Sequence, residues 1–187
     1  MQELWRKNLK MLKDKYQKEI VPKLKKELGK GNIYNVPVIT KIVVNMGVGR
    51  EKDNQADLEK ARGELALILG QTPAFRSAKK AVASFGIRQG DIVGLAATLR
   101  GRKMWDFFEK LVNIALPRTR DFKGISRKSF DGKGNLTVGI VEHTVFPEID
   151  SHKVDKLRGL EVTIVTNTES DEKAYRVLKE LGMPFGD

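Results

Sequence analysis

From Pro37 to Val48 apolar side chains fall at alternate positions. Ile42, Val44, Met46 and Val48 share one face, and Lys41, Val43 and Asn45 share the other. That period belongs to a half-buried strand, and no helix satisfies it. The spacing then changes. Leu58, Ala61, Leu65 and Ile68 recur as one side of a helix, with Asn54 as its cap, Asp57 near its N-terminus and Gly70 as its stop. The same switching runs along the rest of the chain. Strands are predicted around Phe75 and from Ile92 to Leu99. A helix follows with Met104, Phe107, Phe108, Leu111, Ile114 and Ala115 as its apolar face and Pro117 as its end. Leu136 to Val145 and Leu160 to Thr166 read as strands. Ser170 opens a last helix with Asp171 and Glu172 in its first turn, Ala174, Val177, Leu178 and Leu181 facing inward, and Gly182 as its end.

Ahead of these elements, Leu9, Leu12, Tyr16 and Ile20 make residues 3–20 an amphipathic helix, with Arg6, Lys7, Lys10 and Lys13 on its other face. Pro22 is expected to start a short lysine-rich helix that Gly29 and Gly31 end. The mixed order predicts an α+β fold: a largely antiparallel β-sheet with helices packed on one face and long basic loops. A length of 187 residues suits a single domain, 1–187, with an N-terminal helical segment at 1–31 and an α+β core over 37–187.

Composition removes several chemistries. There is no cysteine, so disulfide scaffolds, thiolate zinc sites and cysteine nucleophiles are out. The two histidines, His143 and His152, have no sequence-near partner and read as surface or strand residues. No metal site, cofactor or catalytic residue is expected, because no spacing of Asp and Glu picks out an acid–base pair. Gly47-Val48-Gly49 lies between a strand and a helix, but Lys52 stands where a dinucleotide loop needs its third glycine. A backbone turn is the expectation there. No apolar run approaches the ~18 residues of a membrane span, and the first residues lack the apolar stretch of a secretory signal. A cytoplasmic setting fits.

Charge points to a partner. The net charge is +11, and it is concentrated: residues 71–134 carry 14 basic and 5 acidic side chains, whereas residues 135–187 carry 6 and 10. A chain this basic is expected to bind polyanions, since each neutralised phosphate releases counterions. Two stretches carry the excess. Arg76, Lys79, Lys80 and Arg88 bracket one loop, with Ser77 among its small residues. Arg118, Arg120, Lys123, Arg127, Lys128 and Lys133 line a second, over 118–134. Small residues and glycines separate the charges in both, so backbone can approach phosphates that long cationic side chains then reach. Between the loops, Thr98 and Arg100 are spaced to share one strand face. Aromatic residues are few on the strands, so the pattern suits a reader of RNA backbone and shape more than a base-stacking sheet.

Several segments in order along the chain resemble one family. They are Lys41-Ile42-Val43-Val44-Asn45-Met46-Gly47-Val48-Gly49, Gly70-Gln71-Thr72-Pro73, Ala78-Lys79-Lys80, Thr98-Leu99-Arg100-Gly101, Ala115-Leu116-Pro117-Arg118, Ser129-Phe130-Asp131-Gly132, Phe146-Pro147-Glu148-Ile149-Asp150 and Leu181-Gly182-Met183-Pro184-Phe185. Together they resemble the L-five family of large-subunit ribosomal proteins, in its bacterial or organellar form. The resemblance implies a ribosome-bound, non-catalytic protein of the central protuberance. Its implied partners are 5S rRNA, 23S rRNA, P-site tRNA and a small-subunit head protein. It assigns Asn45, Met46, Gln71, Thr98 and Arg100 to the 5S rRNA surface. It gives the loop holding Arg76, Ser77, Lys79, Lys80 and Arg88 to P-site tRNA. The loop holding Arg118, Arg120, Lys123, Arg127 and Lys128 would take the intersubunit bridge or further rRNA. Gly86, Arg127, Val141 and His143 depart from the family's pattern. Two alternatives stand beside this reading. A nucleic-acid enzyme would need a phosphate loop or a metal–carboxylate cluster, and neither is present in the sequence. A basic adaptor acting outside the ribosome would share the charge but not the ordered motifs.

Overall fold

The computed structural model describes residues 11–27, 36–151 and 154–186. The expected helix positions before Met11, the glycine stops at Gly29 and Gly31, and His152 lie outside the described residues. Five strands form one sheet in the order β2-β3-β1-β5-β4: β1 Ile39–Gly47, β2 Ala74–Ser77, β3 Ile92–Leu99, β4 Leu136–Ile140 and β5 Leu160–Thr166. β2 pairs antiparallel with β3. Cross-strand bonds place Val38 beside Asn167 and Thr40 beside Val165, so the chain beside β5 runs the other way. The helices are α1 (Met11–Lys15, a wide π turn at Tyr16–Ile20, then Val21–Glu27), α2 (Gln55–Leu69), α3 (Gly101–Lys110, a π turn at Leu111–Ala115, then Leu116–Arg118) and α4 (Asp171–Glu180). The fold is α+β, as the sequence predicts. The backbone divides into two compact units, 1–42 with 100–138 and 163–187, and 43–99 with 139–162.

Alternation explains why one sheet face is covered. Ile42, Val44 and Met46 of β1 are buried, as are Leu95, Ala97 and Leu99 of β3, Leu136, Val138 and Ile140 of β4, and Leu160, Val162 and Ile164 of β5. The intervening residues are half-buried or exposed. A one-residue slip would turn every one of these apolar groups to water, so register is strongly fixed.

In the first unit, α1 buries Tyr16, Ile20, Val21 and Leu24, and α3 buries Met104, Trp105, Phe107 and Phe108. Tyr16 links them: its ring lies 5.6 Å from that of Trp105, and its hydroxyl donates to the Pro37 carbonyl at 2.9 Å. Pro22, expected to start a helix, is passed, whereas the helix expected to end at Pro117 ends one residue on, at Arg118. Pro22 and Pro117 each follow a π turn, in which the Val21 and Leu116 N–H groups bond to Tyr16 and Leu111 five residues back. The wider turn relieves the clash that proline makes with the preceding turn, so the helix continues. The extra residue also rotates the face that follows. Val112 and Leu116 are buried, and Ile114 is only half-buried.

In the second unit, the helix α2 is built as its sequence dictates. Asn54 accepts from the Ala56 and Asp57 N–H groups, and Gly70 closes the helix in the left-handed conformation. The strand expected to reach Val145 stops at Ile140. Beyond it the chain turns inward, because His143 is drawn into a buried polar cluster. This corrects the expectation of a surface or strand histidine: its side chain is 0% exposed.

That cluster joins four residues far apart in sequence. The Arg158 guanidinium donates to both carboxylate oxygens of Glu51, with Nη2 at 3.0 Å, and to Glu64 Oε2 at 2.7 Å. The Arg158 N–H donates to His143 Nδ1 at 3.2 Å, so Nε2 carries the proton of the neutral ring. Nε2 lies 3.2 Å from Glu64 Oε2, without the alignment of a hydrogen bond. Lys60 with Asp155 and Lys156 with Asp57 add exposed pairs around it, tying residues 155–158 to α2.

Candidate nucleic-acid interface

The same alternation that buries Met46 exposes its neighbours on the other face. Asn45 is half-buried, and its amide donates to Glu161 Oε2 at 3.5 Å. Met46 is 1% exposed, so its side chain belongs to the core and is no RNA-contacting group. Gln71 is half-buried just after the Gly70 cap and donates to the Thr98 carbonyl at 3.4 Å. Thr98 is exposed near the end of β3. Leu99 is buried and Arg100 is exposed, so the strand alternation runs one residue past the last ladder position. Arg100 keeps an extended backbone at the mouth of α3, and among the described residues its guanidinium has no carboxylate partner. The second unit thus offers Asn45, Gln71 and Thr98, held by the sheet and the end of α2. The first unit offers Arg100.

The loop between β2 and β3 is a folded arm. Val82 pairs with Ile87 across a short turn that contains Gly86 at φ 61°. At its base the Ala78 N–H donates to the Asp91 carbonyl at 2.8 Å, and the Gly90 N–H donates to the Ala78 carbonyl at 3.0 Å. The Asp91 carboxylate accepts from the Arg88 N–H at 2.9 Å and from Lys52 Nζ at 2.9 Å. Lys52 also donates to the Gly86 carbonyl. The Arg88 N–H first, and Lys52 after it, hold the Asp91 carboxyl below the usual carboxylate range. Lys52, the residue that spoils a dinucleotide fingerprint, therefore serves as the arm's brace. With its acid occupied by Lys52, the arm leaves Arg76, Ser77, Lys79, Lys80 and Arg88 exposed. Phe85, 77% exposed, stands at the tip.

The second basic stretch is also ordered. Ser126 Oγ accepts from the Lys128 N–H at 3.2 Å, and Ile125 exchanges backbone bonds with Pro184 and Gly186. Asp131 ties the following turn, accepting from Lys133 N–H at 2.8 Å and from the Asn135 amide at 2.6 Å. The Asn135 bond is the main reason its carboxyl sits below its ordinary range. Asp171, at the start of α4, accepts from the Gly132 and Gly134 N–H groups. Gly134 is buried at φ 74°, and a Cβ there would strike the Thr168 carbonyl, so no other residue fits. Arg118, Arg120, Lys123, Arg127 and Lys128 are exposed along this stretch. Sequence reasoning missed that Arg127 lies over the Tyr175 ring, 4.1 Å from its centroid. It also missed the Glu51–Glu64–His143–Arg158 cluster, whose members carry no shared motif.

Among the described residues no group of three His, Asp or Glu side chains could hold a metal, and no helix is long and apolar enough to cross a membrane. Comparison with known proteins points one way. Residues 32–88 match the family model described as Ribosomal protein L5, and residues 92–185 match the model of the same ribosomal family's C-terminus. Similar relatives carry the name Large ribosomal subunit protein uL5. Those of Roseiflexus castenholzii and Chloroflexus aurantiacus are 52% and 53% identical over 176 residues, covering 94% of this chain and 98% of each relative. One from a Thermoanaerobacter species is 51% identical over 174 residues, covering 93% and 97%.

Proposed function

Because this chain belongs to the ribosomal protein L5 family, it is a structural constituent of the large ribosomal subunit and not an enzyme, and we propose that it is the subunit's 5S rRNA holder. In this reading Asn45, Gln71 and Thr98 of the second unit, and Arg100 of the first, each contact 5S rRNA and help attach that RNA to 23S rRNA in the central protuberance. The carrying observation is the exposed Thr98 followed by an exposed Arg100 with no carboxylate partner among the described residues. A guanidinium kept free of acids at the end of a strand is ready for phosphate or base-edge hydrogen bonds, and strand backbone fixes where it starts. Met46 supports the Asn45 strand from beneath.

The arm between β2 and β3 is assigned to P-site tRNA. Its exposed Lys79, Lys80 and Arg88 supply electrostatic attraction, and its braced base limits the entropy lost on contact. The stretch from Arg118 to Lys128 is assigned to a small-subunit head protein across the intersubunit bridge, or to further rRNA. The test is recovery of the tagged full chain from cell extract at low salt, followed by sequencing of the bound RNA. The reading expects 5S rRNA as the dominant species, lost as salt is raised. Recovery of mixed RNA with no enrichment of 5S, or of protein partners alone, contradicts it.

A further inference from the structure

A cleft of about 640 Å³ opens between the second basic stretch and the C-terminal residues, within the first unit. Arg127, Lys128 and Lys179 line it, together with Tyr175, Pro184 and Phe185, and among the described residues no acidic side chain does. Among the described residues none of the three cations forms a salt bridge. Its wall is aromatic: the Tyr175 and Phe185 rings lie 4.6 Å apart at 53°, and Phe130 backs Phe185 at 6.1 Å. Arg127 and Lys179 both sit over the Tyr175 ring, at 4.1 and 5.7 Å. The wall is held in place rather than draped. The Ile125 N–H donates to the Pro184 carbonyl at 2.9 Å, and the Gly186 N–H returns to the Ile125 carbonyl at 3.1 Å.

We infer that this cleft is a binding site for a single unpaired RNA nucleotide, its phosphate met by Arg127, Lys128 and Lys179 and its base laid against Tyr175 and Phe185. Three cations with no acid among them leave a local charge that an anion must balance. The aromatic rings and Pro184 give that anion's carrier an apolar surface, which suits a base better than an acidic peptide. Arg127, and Lys179 after it, also hold the Tyr175 hydroxyl below its ordinary range, which makes it a stronger donor to an oxyanion. Arg127 and Lys128 come from the basic stretch over 118–134, but Lys179 and the aromatic wall come from residues 135–187, whose overall charge is acidic and gives no hint of RNA contact. The inference rests on reading the chain as an RNA-binding protein, though not on the 5S rRNA surface.

The test is amide NMR of the labelled full chain, titrated separately with adenosine monophosphate, inorganic phosphate and a glutamate-rich peptide. The nucleotide is expected to shift the amides of Lys128, Tyr175, Lys179 and Phe185, and to bind about tenfold tighter than phosphate because stacking adds to charge. Tyr175→Leu with Lys179→Gln should abolish those shifts while leaving 5S rRNA affinity within about twofold, since neither residue belongs to that surface. No shift at these amides, equal affinity for nucleotide and phosphate, or tighter binding of the peptide would each overturn the site. Loss of 5S rRNA affinity in the double variant would overturn its independence. Failure of the unaltered chain to bind 5S rRNA, with the nucleotide shifts intact, would instead count against the preceding assignment.

Discussion

Arg158 is 4% exposed at its side chain and answers two carboxylates, Glu51 and Glu64. Removing it leaves Glu51, itself 9% exposed, as a buried charge without its partner. Arg158→Ala is therefore expected to cost about 3–5 kcal/mol in urea unfolding, and Arg158→Met with Glu51→Leu to recover much of that loss. A double variant no better than the single one would mean that the charge pair itself, rather than its desolvation balance, holds residues 142–158. Tyr16 makes a second residue-scale prediction. Burial pushes its phenol up to about 12. Its contribution to stability is whole below the unfolded value near ~10 and is lost as pH rises through the folded one. Unfolding free energy should fall across that alkaline window, and Tyr16→Phe, which cannot ionise, should flatten the fall. Residues governed by local rules were legible in sequence: Asn54 as a cap, Gly70 as a stop, and Met46 on the opposite face from Asn45. Met46 was nevertheless assigned to RNA by family likeness, and the period-2 rule would have kept it in the core. Arg158 and His143 were not legible, because their partners are separated by up to 107 residues and only the folded chain joins them.

The arm between β2 and β3 is an element with its own stability. Its base depends on Asp91, whose carboxyl serves the Arg88 N–H and the Lys52 ammonium together. The folded pKa is depressed, so the support is present above the unfolded value near ~4 and is lost as pH falls through the lower folded one. Asp91→Asn should speed hydrogen exchange at the Ala78, Arg88 and Gly90 amides at neutral pH, with little change at the amides of α2. Unchanged exchange would show that the backbone bonds alone hold the arm. The two strands flanking this arm lie where the sequence places them, around Phe75 and from Ile92 to Leu99. The brace was not legible there, because Lys52 sits far upstream in a segment that drew attention only as a failed nucleotide loop. Helix continuity was misread for a related reason. Pro22 looks like a boundary in sequence, but the π turn ahead of it carries the helix through. Ordering of the stretch 118–134 was equally hidden, since Asp171 on α4 supplies the bonds that fix its glycines.

At the scale of the whole molecule, charge and shape divide the work. β1, β3, β4 and β5 each bury one face, β2 buries none of its residues, and the basic side chains of the two loops are exposed. The α+β class and the strand count were readable because each element repeats its period several times. The division into two compact units was not, since it falls inside β1, β4 and β5, where the sequence shows no break. If 5S rRNA is held by the strand surface and tRNA by the arm, one set of filter-binding titrations separates the two. 5S rRNA affinity is measured for the unaltered chain, for Arg100→Ala and for Lys79→Ala with Lys80→Ala. Arg100→Ala is expected to weaken binding by roughly 1–3 kcal/mol, the scale of a hydrogen bond to a charged group, and the lysine pair to leave it nearly unchanged. Full affinity in Arg100→Ala, with loss in the lysine variant, would show that the arm and not the strand surface grips this RNA.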